Sequence, residues 1–249
     1  MYYQPRVSAK TGRLCSMEAL LRWQHPDRGM LLPGAFISTA EEAGLIHGIG
    51  ERVIDKVVAQ IARWRDQNMR LVPVSVNVSP RQLHQGHISD FIARTLRKYE
   101  VPANLLEIEV TESAMVERSA ATSTELDALR ELGIRLMIDD FGAGYSSLAQ
   151  LHRLDVDVLK VDQAFTHSLA HGSEGEQLYR AIVSMAAALD MHVVAEGVET
   201  LDQLRLLQAI GCDEIQGYVI APALPPEQII ALASGDPLPP FDPKGILPA

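Results

Sequence analysis

Short apolar runs alternate with longer amphipathic runs along most of the chain. The short runs predict β-strands at 17–23, 71–78, 105–110, 134–138, 158–161, 192–195 and 214–216. Several are apolar at nearly every position, which is typical of strands covered on both faces. The longer runs predict helices, and one of them carries its valines and isoleucines on a single stripe of residues 51–68.

Residues that cap helices mark the ends of several longer runs. A Ser or Thr three positions before a Glu or Gln has the spacing of a capping box, and a Gly after a helix suits a left-handed backbone. The capping pairs are Thr122 with Glu125, Ser173 with Glu176, and Thr200 with Gln203, and the glycines are Gly133, Gly211 and Gly235. About seven strand–helix units in 249 residues predict an α/β barrel of the TIM type more than an open sheet.

Composition places the chain among ordinary globular proteins. Hydrophobic residues make up 47% and charged residues 22% of the chain, which argues against intrinsic disorder. The chain has no long apolar run and no secretory signal, and its two cysteines make no disulfide framework, so we expect a cytoplasmic location. Residues 1–235 are predicted to form the folded domain, and 236–249 a proline-rich C-terminal tail.

The net charge of −10 argues against binding to a nucleic-acid polymer, since such binding depends on Lys and Arg neutralising phosphates. The same charge would repel a small anionic substrate. A substrate of that kind would need metal ions or a few well-placed cations beside it.

Side chains that can bind hard cations stand at the ends of the predicted strands. They are Glu18, Asn77, Glu109, Glu112, Asp139, Asp140, Glu196, Glu199 and Gln216, and Lys160 lies within the strand at 158–161. Strand ends of a parallel barrel meet on one rim, where such barrels carry their active sites. Taken singly, each acidic residue has an ordinary interpretation as a solvated loop carboxylate, and Lys160 as an exposed strand lysine. Gathered on one rim, the carboxylates would repel one another without cations among them.

The ligand types indicate which metal would fit. Carboxylates and an amide oxygen suit Mg²⁺ or Mn²⁺ better than Zn²⁺. Adjacent Asp139 and Asp140 could bridge two ions, and Lys160 could orient a water, help to deprotonate it, or stabilise charge. Residue chemistry alone therefore predicts a metal-dependent barrel enzyme, favours phosphodiester hydrolysis, and leaves the substrate open.

The order of the motifs is more specific than any one of them. They read EALLRW at 18–23, NVS at 77–79, EVTE at 109–112, DDFGAGYSSL at 139–148, LKVD at 159–162, EGVET at 196–200 and QGY at 216–218. This series resembles the EAL domain family of cyclic di-GMP phosphodiesterases, over residues 2 to about 233. The resemblance implies a modified TIM (β/α)8 barrel with an antiparallel first strand, and Mg²⁺- or Mn²⁺-dependent hydrolysis of cyclic di-GMP to linear pGpG.

The resemblance also implies a role for each matching position. The implied metal ligands, for two ions, are Glu18, Asn77, Glu109, Asp139, Asp140 and Glu196. The implied catalytic residues are Lys160, Glu196, Glu199, Gln216 and Glu112. Of these, Lys160 contacts the attacking water and Glu112 braces the loop from Asp140 to Ser147. Arg22, Gln4 and Leu20 are the implied substrate contacts.

The family context adds expectations beyond the site. The resemblance implies dimer contacts through the loop from Asp140 to Ser147. In the family, this domain often follows a sensory or diguanylate cyclase domain in the same chain. Family members usually have a helix and part of a strand before the Tyr3-Gln4-Pro5 segment, so we expect a shortened first strand or an upstream part in a longer protein, which could be membrane-attached. The alternative function is a receptor or interaction domain that binds cyclic di-GMP without cleaving it, although no ligand position is substituted.

Overall fold

Eight strands of the chain close into a barrel. In the computed structural model, residues 1–112, 119–142, 155–233, 236–238 and 240–241 are described. The strands are β1 (Tyr2–Ser8), β2 (Leu14–Leu20), β3 (Trp23–His25), β4 (Gly29–Leu31), β5 (Val74–Asn77), β6 (Leu106–Thr111), β7 (Arg135–Phe141), β8 (Val158–Val161), β9 (His192–Ala195) and β10 (Glu214–Gln216). The barrel order is β1-β10-β9-β8-β7-β6-β5-β2, and β3 pairs with β4 in a separate hairpin.

The first strand runs against its neighbours. β1 is antiparallel to both β2 and β10, whereas the other neighbouring strands of the barrel are parallel. The expected α/β fold, a TIM-like barrel with an antiparallel first strand, is therefore confirmed. β1 has seven residues, as many as β2.

Helices follow most of the strands and cover the outside of the barrel. They are α1 (Ile37–Glu42), α2 (Ile46–Asp66), α3 (Pro80–Gln85), α4 (Ile88–Tyr99), α5 (Ala120–Glu131), α6 (Gln163–His167), α7 (Glu174–Ala188), α8 (Leu201–Ile210) and α9 (Pro226–Leu232), with short 3₁₀ helices at Pro33–Ala35 and Ala103–Leu105. Within the described ranges, no helix combines the length and apolar character that a membrane crossing requires.

The helix caps confirm some of the sequence expectations and correct another. Thr200 and Gln203 form a complete capping box at α8. The prediction for Thr122 is wrong, because Ser119 caps α5 and accepts from the N–H of Thr122. Glu125 instead accepts from the backbone N–H groups of His87 and Ser89, where α4 begins.

The remaining caps follow the same physical rules. Ser173 caps α7, but the carboxylate of Glu176 accepts from the N–H of Gly172 instead of closing the box. Gly133 and Gly211 have the predicted left-handed backbone after α5 and α8, and Gly235 lies outside the described residues.

The apolar core has two parts. The larger part lies between the barrel and its helices, where α2 buries Ile54, Val57, Val58 and Ile61. The smaller part consists of Met137, Val158 and Val194 on β7, β8 and β9. The large outer core fixes the strands, and the strand ends then fix the positions of the polar side chains described next.

The described part of the C-terminal segment packs against the rest of the chain. The N–H of Leu238 donates to the carbonyl of Gly12 at 2.8 Å, and the Leu238 side chain is buried. Residues 239 and 242–249 lie outside the described residues. The division of the chain at residue 235 stays a prediction.

Candidate active site

The carboxyl ends of the parallel strands bring the predicted site residues together on one rim. Glu18 comes from β2, Asn77 from β5, Glu109 from β6, Asp139 and Asp140 from β7, Lys160 from β8, and Gln216 from β10, while Glu196 directly follows β9. These residues are distant in sequence, and the closed barrel accounts for their proximity.

Lys160 lies at the centre of this cluster and is almost completely buried, with 1% of its side chain exposed. Its Nζ lies 2.6 Å from Oε2 of Glu109, 2.8 Å from Oδ1 of Asp139, 2.7 Å from Oε1 of Glu196 and 3.6 Å from Oε2 of Glu18. One ammonium therefore faces four carboxylates, which excludes the exposed-lysine interpretation. A single positive charge is too little to neutralise them all.

A β-bulge places two consecutive carboxylates at the site. Neighbouring side chains of a regular strand point to opposite faces, so Asp139 and Asp140 would normally diverge. The register between β7 and β8 shifts between Ile138 and Phe141, and Asp140 has a left-handed φ of 54°. Oxygen atoms of Asp139, Asp140 and Glu196 consequently all lie within 4.8 Å of one another, an arrangement that could hold a metal ion.

Two side-chain amides hold Glu18 in place. Nδ2 of Asn77 donates to Oε1 of Glu18 at 2.8 Å, and Nε2 of Gln216 donates to Oε2 at 2.7 Å. Nε2 of Gln216 also lies 3.2 Å from Oε1 of Gln4. The Glu18 carboxylate therefore has a fixed orientation before any ligand arrives.

Burial and crowding shift the ionisation of the cluster. Burial, reinforced by the negative charge of Glu18, raises the pKa of Glu109 to about 8. Burial also raises the pKa of Glu196 to about 7, against the attraction of Lys160. Burial would lower the pKa of Lys160, but Asp139, Glu109, Glu18 and Glu196 raise it well above its ordinary value. Lys160 thus stays charged, while the acids around it resist full ionisation without further cations.

Glu112 and Phe165 contact the backbone where the Asp139-Asp140 segment leaves the strand. Oε2 of Glu112 accepts a hydrogen bond from the N–H of Gly142 at 3.0 Å. Gly142 has a φ of 98°, and a Cβ at this position would overlap the Phe165 ring. These contacts hold the start of the loop that Glu112 was predicted to brace. Residues 143–147 of that loop lie outside the described residues.

A cleft opens beside the cluster. Its walls include Gln4, Glu18, Leu20, Glu196, Glu199 and Tyr218, and Tyr218 is largely exposed. Arg22 lies near this rim, donates to the carbonyl of Leu21 and places its guanidinium 5.7 Å from the centre of the Tyr2 ring. Glu199 is exposed, and its backbone N–H donates to the capping side chain of Gln203. Most predicted substrate contacts therefore border one cleft, and Arg22 is not among the residues that line it.

Three charged residues near the cluster were missed by the sequence analysis. Arg6 of β1 is buried and pairs with Glu107 of β6, which also pairs with Arg135 of β7. A signal was present, because Glu107 and Glu109 alternate with apolar residues in a strand predicted to be buried. A buried acid needs a partner, but sequence alone does not name it.

The donor set fits divalent metal ions. Asp139, Asp140 and Glu196 offer hard oxygen ligands within reach of one ion. Among the described residues, Oε1 of Glu109 and Oε1 of Gln216 are buried without a hydrogen-bond partner. Unused acceptors beside surplus negative charge are consistent with a cation at this position.

The closed barrel with its antiparallel first strand, and the acidic cluster on its rim, place the chain among α/β-barrel proteins with a site that could hold metal. The family model described as "EAL domain" matches residues 1–223, and the chain belongs to the EAL domain family.

Curated relatives and a solved structure resemble nearly the whole chain. MucR of Pseudomonas aeruginosa, a bifunctional diguanylate cyclase/cyclic di-GMP phosphodiesterase, is 38% identical over 231 residues, which are 93% of this chain and 34% of MucR. PdeR of Escherichia coli, a cyclic di-GMP phosphodiesterase, is 40% identical over 225 residues, 90% of this chain and 34% of PdeR. The structure of PaMucR phosphodiesterase in complex with c-di-GMP has a TM-score of 0.86 and 38% identity, covering 92% of both chains. The chain thus spans about a third of the length of these curated relatives, which are longer proteins.

Proposed function

We propose that this chain is a metal-dependent phosphodiesterase that hydrolyses cyclic di-GMP to linear pGpG. The observation that carries the proposal is the convergence of Glu18, Glu109, Asp139 and Glu196 around Lys160 on the rim of the barrel. The family membership and the names of the relatives support cyclic di-GMP as the substrate.

Two Mg²⁺ or Mn²⁺ ions would be held by the acidic and amide oxygens of the cluster. Glu18, Asn77, Glu109 and Asp139 are the proposed ligands of one ion, and Asp139, Asp140 and Glu196 those of the other. Bound metal would supply activation of water and neutralisation of charge on the phosphate. Asn77 would have to turn its amide oxygen toward the ion, because its nitrogen now faces Glu18.

Lys160 is proposed to hold the attacking water in position by donating a hydrogen bond to it. Its Nζ lies 2.6–2.8 Å from carboxylate oxygens of Glu109, Asp139 and Glu196, which fix the ammonium in place, and an N–H group would become available to the water once these acids bind metal. Water adds to one phosphorus atom and gives up a proton to solvent, and the bond from phosphorus to the leaving ribose oxygen breaks as that oxygen takes up a proton from solvent. The high pKa of Lys160 favours a role as a donor over a role as the base.

Substrate binding is proposed to involve the cleft beside the cluster. Gln4 and Leu20 lie on its wall, and Arg22 is the nearby cation proposed to meet a phosphate. Gln216 supports Glu18 and Gln4 from β10, and Glu199 lines the same cleft. These assignments give a dianionic ligand local positive charge in a chain whose net charge is −10.

The test is turnover of cyclic di-GMP by the purified chain with Mg²⁺ or Mn²⁺, followed by chromatography of the product. We expect linear pGpG, at least 100-fold slower turnover for Glu18→Gln, and almost no change for Glu131→Gln, a control at an exposed acid on α5. Tight binding of intact cyclic di-GMP without turnover would instead support the receptor function. Absence of both binding and turnover would refute the proposal.

Dimerisation through the loop from Asp140 to Ser147 is a separate proposal. It rests on the resemblance alone, since residues 143–147 lie outside the described part of the chain. Sedimentation at several protein concentrations would test it, and a single monomeric species throughout would contradict it.

A further inference from the structure

A buried arginine lies beneath the acidic cluster, inside the barrel. Only 1% of the Arg6 side chain is exposed, and its Nη2 lies 2.7 Å from Oε2 of Glu107. Its Nη1 lies 3.2 Å from the sulfur of Met137 and 3.8 Å from Oε1 of Glu109. Glu107 is buried as well, and its other oxygen lies 3.0 Å from Nη1 of Arg135. Arg6 is thus the link between the Glu107–Arg135 pair and the cluster.

Strand periodicity explains this placement. Side chains two residues apart on a strand share a face. Gln4 and Arg6 therefore share the inner face of β1, and Glu107 and Glu109 share the inner face of β6. In each pair, one member belongs to the cluster on the rim and the other lies deeper in the barrel.

Beneath the cluster, one side of the barrel interior is apolar and the opposite side is polar and charged. Met137, Val158 and Val194 form a small apolar group on β7, β8 and β9. Opposite them, Arg6 pairs with Glu107, and Ser16 donates to Glu214 at 2.9 Å. Replacing a buried ion pair with apolar residues is often neutral or stabilising, so stability is a weak reason for placing one here. A role in the site is a better explanation.

Glu109 is held between two cations. Its Oε2 contacts Lys160 at 2.6 Å, and its Oε1 faces Arg6 at 3.8 Å. Within the described chain, Oε1 has no hydrogen-bond partner, and Arg6 is the cation that faces it. The guanidinium is itself fixed by Glu107, so the position of Glu109 depends on a rigid charged support.

We propose that Arg6, held by Glu107, is a positioning residue that sets the orientation of the Glu109 carboxylate for metal binding. The inference rests on the proposed metal site and goes beyond it, because neither Arg6 nor Glu107 is a proposed ligand or substrate contact. Partners that orient metal ligands commonly change metal affinity by about 10- to 100-fold when they are removed.

The decisive variant is Arg6→Met/Glu107→Met in the full chain, which removes both buried charges and keeps the volume. Arg135 keeps contact with water in this variant, because its side chain is 35% exposed. Mn²⁺ affinity is measured by electron paramagnetic resonance, and the melting temperature is measured without metal. We expect Mn²⁺ to bind at least tenfold more weakly while the melting temperature changes by only a few degrees.

Arg6→Lys is the second variant, and it serves if the double variant does not fold. It keeps the buried charge, but a single ammonium cannot reproduce the planar fork that contacts Glu107 and faces Glu109. We expect a several-fold loss of Mn²⁺ affinity. Wild-type affinity in the double variant, or in Arg6→Lys if only that variant folds, would overturn the positioning role.

The outcomes separate this inference from the proposed function. If the wild-type chain binds Mn²⁺ but does not cleave cyclic di-GMP, the proposed reaction fails and the role of Arg6 is still decided by the variants. If the wild-type chain binds no Mn²⁺, both proposals fall.

Discussion

Lys160 and Glu109 form a fully buried ion pair, with Nζ 2.6 Å from Oε2, at the point where the acidic residues of four strands converge. The lysine compensates part of the negative charge of the cluster. Protein folding and metal binding therefore both depend on the same small set of charges.

Lys160→Met should destabilise the metal-free protein strongly. Removing one partner of a buried ion pair leaves uncompensated charge, which costs ~3–5 kcal/mol. Saturating Mn²⁺ should restore much of this loss, because the ions would supply the missing positive charge. Urea unfolding with and without Mn²⁺ measures both effects.

Lys98→Met is the matched control for that experiment. Lys98 lies 2.8 Å from Asp55 on the surface, where exposed ion pairs contribute little to stability. The free energy of unfolding should hardly change. Equal losses for the two lysine variants would contradict the central role of Lys160.

The stability of the metal-free protein should fall as pH rises through the neutral range. Burial raises the pKa of Glu109 to about 8 and that of Glu196 to about 7, above the ordinary value of 4.5. The folded state therefore holds protons that the unfolded chain has already released, and stability decreases between about pH 4.5 and pH 8. Chemical denaturation in the presence of EDTA at pH 6 and pH 8 tests the sign.

Mn²⁺ should reverse this trend. Metal binding requires deprotonated ligands, so the stabilisation by Mn²⁺ grows as pH rises over the same window. A metal-free protein that is more stable at pH 8 than at pH 6 would contradict the assignment of raised pKa values to these two acids.

Gly142→Ala should weaken the start of the loop that follows Asp139 and Asp140. The substitution places a Cβ at a left-handed φ of 98° and against the Phe165 ring. Left-handed strain costs ~1–2 kcal/mol and overpacking ~1–3 kcal/mol. We expect a lower melting temperature together with weaker Mn²⁺ binding.

Gly172→Ala is the control that separates backbone strain from the overlap with the Phe165 ring. Gly172 also has a left-handed φ of 75°, but a Cβ there would meet no atom within 4 Å. It should lose stability through backbone strain alone and keep wild-type Mn²⁺ affinity. If Gly142→Ala loses no more stability and no more Mn²⁺ affinity than Gly172→Ala, the contact with Phe165 does not contribute to either property.

Glu112→Leu should lower turnover as well as stability. The change removes the acceptor for the Gly142 N–H at 3.0 Å, and an unsatisfied backbone donor costs ~1–3 kcal/mol. kcat should also fall, at least tenfold, because a displaced Gly142 backbone moves the adjacent carboxylates. Steady-state kinetics with cyclic di-GMP measures this loss.

Glu125→Leu provides the comparison, since Glu125 also accepts backbone N–H groups, at the start of α4. It should lower the melting temperature and leave kcat unchanged per folded molecule. A similar loss of kcat in both variants would show that general destabilisation, not the loop, explains the effect.

The strand–helix alternation of the barrel was predictable from period and spacing, whereas the antiparallel first strand was expected only from the family resemblance. The strands at 158–161, 192–195 and 214–216 have the predicted bounds. β1 was not among the strands predicted from the apolar pattern, because its Tyr-Tyr-Gln-Pro-Arg sequence has no clear alternation and its burial depends on neighbours from both ends of the chain. Thr122 was assigned as a cap from local spacing, whereas Glu125 is used by a different helix.

The site was predictable in its members and less so in its geometry. Strand-end carboxylates can be read from sequence because the barrel brings strand ends together. The bulge at Asp139 and Asp140 leaves no simple pattern, since it depends on the register with β8. The Arg6–Glu107 pair also escaped prediction, because contacts between residues 101 positions apart are set by the closed barrel.

The reversed direction of β1 determines where a preceding segment would reach the barrel. Tyr2 pairs with Leu20, so β1 begins at the same rim at which β2 ends. In an all-parallel barrel, the first strand would begin at the opposite end. Any polypeptide joined ahead of Met1 would arrive beside Arg22 and only a few residues from Gln4. A movement of that junction would therefore reach the cleft beside the acidic cluster without crossing the barrel.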